Sequence, residues 1–170
     1  MNNTVKFVGT ELKSAHELFA ATLSGLTLEQ AHHDAGGNTV PIVAHFGHVV
    51  VFEDMIVNGL LKGGAPLLTG GATGFSEQPP QQPPWDAWGR KVKVDMTQAM
   101  AYAMKVTSSA EAYVATLDDA ALAKPLDLSM IGQGMQTVGF MLSALVLNLY
   151  VHTGEISCLK GLQKLKGYPI

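Results

Sequence analysis

The chain has 170 residues, one cysteine (Cys158) and a formal net charge of −3; 47% of its residues are hydrophobic and 15% charged. That length suits a single domain over residues 1–170. The charged share lies below the usual ~25%, which points to a large core or to apolar surface covered by a second copy, so a homodimer is expected. The absence of a basic block argues against nucleic acid and an anionic membrane as partners, and a lone cysteine excludes an intrachain disulfide and fits a reducing cytoplasm.

The opening stretch, MNNTVKFVGTELKSAHE, lacks the basic-then-apolar plan of a signal peptide. Val8, Leu12, Ala15, Phe19 and Leu23 then recur at three- and four-residue steps, the stripe of a first amphipathic helix. A short helix is expected over Thr27 to His33, because TLEQ matches a capping box with Thr27 as cap and Gln30 reaching back. A second long helix should follow GGN, capped by Asn38 or Thr39 with Pro41 in its first turn, and stop at Gly63-Gly64.

The link from Gly63 to Pro84 is rich in Gly, Pro and Gln and cannot be helical. It exceeds the ~2–8 residues usual between bundle helices, so it can carry the chain across to a parallel neighbour; a flexible loop between antiparallel neighbours is the alternative. A third helix should begin near Trp85 or Asp86 and keep its step through Met96, Ala103, Val106, Ala110, Tyr113 and Leu117. Met96, Met100 and Met104 form a stripe read as core packing. The segment Leu126 to Gln136 is extended but too short to build a sheet alone. A fourth helix should start at Gln136 or Thr137 and run to about Leu165, and its most apolar part, Val138 to Val151, is shorter than the ~20 residues of a membrane span. The expected fold is all-α, a four-helix bundle with long crossover connections and short extra helices.

Two of these helices carry polar residues where apolar ones would serve packing. On the second, His45 and His48 are three apart and share a face. At about 100° per residue, Glu53 falls about 80° from His45 and about 140° from His48, a poor position for a shared ligand. On the fourth, Asn148, His152 and Glu155 follow at steps of four and three, one above the other. Neutral imidazole is a common metal ligand, and a site with an open position needs about three protein ligands. His48 and His152 give two, and Asn148 or Glu155 offers the third. The ordinary alternative is a set of hydrogen-bonded helix histidines. His45 is read as a residue bonding a ligand or water, or as one at a helix edge. His32 and His33 are read as surface residues, His16 as a residue without a visible partner, and Cys158 as an inert, half-buried thiol. Only His152-x-x-Glu155 approaches the di-iron pattern, in reversed order, so that class is excluded.

In combination, GGNTVPIVAHFGHVVVFED, NLYVHTGEISCLKG and the WDAW stretch resemble the DinB/YfiT-like superfamily of metal-dependent four-helix-bundle proteins. The resemblance covers nearly the whole chain. It implies that His48 matches the helix-two ligand, that His152 matches the last ligand, and that Gly154-Glu155 fits the tail of the last motif. Asn148 stands where the family has its middle His, and an amide is a weak ligand for zinc or nickel. The resemblance further implies a divalent metal, a small-molecule substrate, a low-molecular-weight thiol as partner, and thiol-dependent S-transfer or hydrolysis. Glu155 would shuttle a proton or orient the bound group, with Phe52, Leu145 and Tyr150 as candidate pocket walls. The competing expectation is a non-catalytic helical module that has lost its metal.

Overall fold

Helix formation follows the apolar stripes. The computed structural model describes residues 3–80 and 85–169. Residues 81–84, the end of the proline-rich link, and residues 1, 2 and 170 lie outside the described residues. Helix α1 spans Asn3–Leu23 and buries Val5, Val8, Leu12, Ala15, Phe19 and Leu23. Helix α2, Leu28–His32, has the expected capping box: Gln30 N–H donates to Thr27 Oγ1, and Thr27 N–H donates to Gln30 Oε1.

Helix α3, Ile42–Asp54, follows Pro41, and neither Asn38 nor Thr39 caps it. Thr39 instead donates its hydroxyl back to Gly36 O. The helix then widens into a π-helical segment, Met55–Leu61, which periodicity does not reveal. A four-residue step and a five-residue step look alike in a run this apolar.

The third helix is broken in two. Helix α4, Asp86–Lys91, ends at Val92, and helix α5, Met96–Ala115, starts afresh with Asp95 accepting from Gln98 N–H. Between them the chain is extended and pairs with the link: Phe75 bridges Val94, Ser76 N–H donates to Lys93 O, and Asp95 N–H donates to Gly74 O. The β-branched residues of VKVD and the capping Asp95 are the local causes. The methionine stripe is only partly inside. Met96 and Met100 pack against the core, but Met104 is exposed, because the buried line of α5 is Ala99, Ala103, Val106 and Ala110.

Helix α6, Asp119–Leu122, leads into a small antiparallel hairpin, β1 (Pro125–Asp127) and β2 (Met135–Thr137). The segment expected to be merely extended therefore pairs with itself. Helix α7, Val138–Leu162, is capped by Thr137, whose hydroxyl accepts from Phe140 N–H. It ends three residues before Leu165, where Lys164 takes a left-handed conformation (φ 61°).

The four long helices pack as a ring: α1 lies against α7 and α5, and α3 lies against the same two. Their directions follow from side-chain pairs. Tyr102 bonds Asp54, and Ser109 bonds Asn58, so numbering rises together and α5 runs parallel to α3. His45 meets His152 while Asn148 lies beside the earlier-packed His48, so α7 runs against α3. The long link thus crosses over between parallel helices. It is pinned by Asp54, which is wholly buried and accepts from Leu67 N–H, Leu68 N–H, Asn58 Nδ2 and Tyr102 Oη. Burial first, and then that carboxylate, push the Tyr102 phenol above its usual range. One cluster of buried apolar side chains runs from Val5 to Leu159.

Among the described residues, Ile42–Leu61 and Val138–Leu162 are long and apolar enough to cross a membrane by length and composition. Most of the first is buried in this core, and less of the second.

Candidate metal centre

The antiparallel crossing of α3 and α7 places their polar residues at one level. His45 Nδ1 lies 3.2 Å from His152 Nδ1 and 3.1 Å from Glu155 Oε2. His152 Nδ1 lies 2.5 Å from the same carboxylate oxygen. These three donor atoms converge within 4.8 Å of one another. The His48 ring stands beside them, its centroid 4.7 Å from that of His152. The amide of Asn148 faces His48.

Helical steps explain the set. His45 and His48 are one turn apart on α3, and His152 and Glu155 are one turn apart on α7. The first wall around them is aromatic. Trp85 meets His48 edge-on at 4.5 Å between centroids, and Phe52 stacks on it at 5.9 Å. Trp85 is held there by α4, which crosses α3 closely because Gly89 has no side chain: a Cβ there would come within 2.4 Å of Ala44 Cβ. Of the other expected walls, Leu145 is sealed in the core and Tyr150 lies toward Glu11 on α1.

The electrostatics favour neutral imidazoles. Burial, and then the charge of His152, push His48 down to about 4, with Asn148 working against the shift. Burial also lowers His45, although Glu155 pulls it up. Both rings are therefore free bases near neutral pH, the form in which imidazole binds metal.

The residues fit a divalent ion. Ligand atoms about 2.0–2.1 Å from one tetrahedral zinc stand roughly 3.3 Å apart, close to the 3.2 Å between His45 Nδ1 and His152 Nδ1, whereas the 2.5 Å from His152 Nδ1 to Glu155 Oε2 is hydrogen-bond length and places Glu155 beside the donor set. In addition, His48 Nδ1 is buried without any hydrogen-bond partner, the condition of a group whose partner comes from outside the polypeptide. Zinc and nickel both suit imidazole with a carboxylate.

His48, Asn148, His152 and Glu155 all belong to this cluster. His45 is closer to its centre than its spacing alone suggested; the pair His45–His48 was the available signal. Glu53 is elsewhere, as its angle implied, and so is His16. Glu53 Oε1 lies 2.7 Å from His16 Nε2, and Glu111 Oε1 lies 3.0 Å from His16 Nδ1. Burial alone would lower the His16 pKa, but the two carboxylates outweigh it and the net shift is upward. His32 is half-buried and His33 exposed. Cys158 is exposed rather than half-buried.

Comparison with solved structures finds similarity to the crystal structure of a conserved protein from Enterococcus faecalis. The two share 17% identity and a TM-score of 0.78, over 95% of this chain and 97% of that one. At that identity the likeness shows the fold alone. No curated protein matches this chain. The DinB superfamily matches residues 11–156, a span that includes every member of the cluster from His45 to Glu155. The chain belongs to the DinB superfamily.

Proposed function

We propose that the protein is a metal-dependent enzyme of the DinB type, carrying out thiol-dependent S-transfer or hydrolysis on a small molecule. The convergence of His45, His152 and Glu155 is the observation that carries this reading. In this account His48, His152 and His45 hold the ion. His45 replaces the imidazole that the family pattern has at position 148, since Asn148 is a poor ligand. A bound zinc or nickel ion supplies Lewis acidity, lowering the pKa of a water or thiol beside it. Glu155, with a half-exposed side chain, orients His45 and His152 and accepts the proton that the incoming thiol or water gives up. Phe52 and Trp85 exclude water from the His48 side.

The donor set is tested by zinc titration calorimetry. His45→Ala and His152→Ala should each weaken binding by roughly tenfold to a hundredfold or more, whereas Asn148→Ala should leave it within a few-fold. Asn148→His should tighten it. Equal losses in His45→Ala and Asn148→Ala would contradict the replacement. A second reading, a helical module without metal, is favoured by the hydrogen bonds Glu155 already makes to both histidines. Under that reading zinc does not bind at all.

We extend the proposal to a homodimer in the cytoplasm. Phe140, Leu147, Val151, Cys158 and Leu162 recur on α7 at steps of seven and four and are all exposed. Such a stripe is the kind of surface a second copy covers.

A further inference from the structure

The π-helical segment Met55–Leu61 and the hairpin β1–β2 take no part in the donor set, yet both border the same cavity. It measures about 390 Å³, within the ~300–1,000 Å³ of small-molecule sites. One wall is a continuous stripe of the α3 helix and its π turn, including Phe52, Met55 and Gly59. The opposite wall comes from Trp85 and from Leu128 and Ile131 of the hairpin. Among the described residues, none that lines it carries a charge, and the indole N–H of Trp85 is the one polar side-chain group.

Two aromatic residues tie this space to the metal centre, and the π segment and Gly59 shape it. Phe52 and Trp85 line it and also hold His48 between them. The π-helical segment places Met55, Ile56, Gly59 and Leu60 on the cavity wall. Gly59 leaves the wall flat there: a Cβ would press on Pro66 at 3.3 Å. Met55 and Ile131 are partly exposed and Leu128 is fully buried, so the lining runs from the surface into the core.

We infer that this cavity receives the alkyl or aryl body of an uncharged small molecule, separated from the His48 ring by Phe52 and Trp85. The inference rests on the proposed metal-dependent reading only in taking that molecule as the substrate. A charged body is disfavoured because none of the described lining residues carries a charge to pair it. Selectivity then comes from the π turn and the hairpin, and chemistry from α3 and α7.

The test uses the full chain and a neutral fluorescent probe, N-phenyl-1-naphthylamine. Saturable binding at one site, with quenching of tryptophan emission, is expected. Met55→Glu and Ile131→Glu, on two separate rim elements, should each weaken it by roughly tenfold or more, with unchanged circular dichroism. Imidazole NMR signals of His48 should move on probe addition, and those of His16 should not. His152→Ala should lose zinc but still bind the probe, so failure of the metal reading is seen separately. Absence of saturable binding, wild-type affinity in both rim variants, or a His48 signal that stays still while the probe binds would overturn the inference.

Discussion

His16 and His48 sit in the same core and answer pH in opposite senses. His16 is pinned between Glu53 and Glu111, which raise its pKa on folding. Its stabilising contribution is complete below the unfolded value of about 6.5 and disappears as pH rises through the higher folded value. His48 is lowered to about 4, chiefly by burial. Its contribution is complete above about 6.5 and disappears as pH falls toward the folded value. Urea unfolding of chelator-treated protein should therefore show stability falling on both sides of about pH 6.5. His16→Gln should flatten the alkaline arm and His48→Ala the acid arm. An alkaline arm that persists in His16→Gln would refute the first assignment. None of the His16 chemistry was legible in the sequence, because its partners lie 37 and 95 residues away and become neighbours only when α1, α3 and α5 pack. The metal candidates were more legible because each pair lies within one helical turn. His45 was under-read because spacing alone cannot tell which of two same-face histidines lies nearer the opposing helix.

Among the elements, caps and stripes were readable and interruptions were not. Thr27 and Thr137 cap the helices they precede. Thr137→Ala should cost about 1 kcal/mol in urea unfolding, the usual value of a lost N-cap bond. The break between α4 and α5 and the π turn after Asp54 escaped because both depend on the link folding back. Asp54 is where that tertiary demand is met, since it takes two backbone N–H groups of the link along with Asn58 and Tyr102. Asp54→Ala leaves those buried donors unpaired and should destabilise by about 3 kcal/mol or more. Gly74 has a related role. Its φ is +80°, and a Cβ would lie 2.4 Å from Ala99 N, so Gly74→Ala should also lower the melting temperature. An unchanged melting temperature would mean that the link is not seated on α5.

For the whole molecule, low charge and high apolar content raise the expectation of a second copy. We propose α7 as the face it covers, where Leu147 is 63% and Val151 50% exposed. Light scattering should give a dimer mass for the native chain and a monomer mass for Leu147→Asp with Val151→Asp. A native monomer would remove the second copy from the account. The all-α class, the long helices and the crossover were legible because apolar periodicity and link length are local properties. The hairpin was not, since its pairing leaves no helical or strand period in so short a segment, while Phe52 was expected on the wall it forms.

We propose that the α3–α7 crossing holds a metal ion. Elemental analysis of protein purified without a His tag or chelator tests it most directly, with His152→Ala as the control. The account predicts about one zinc or nickel ion per chain, lost in the control. A chain that stays free of metal after incubation with excess zinc and nickel, while correctly folded, would contradict it.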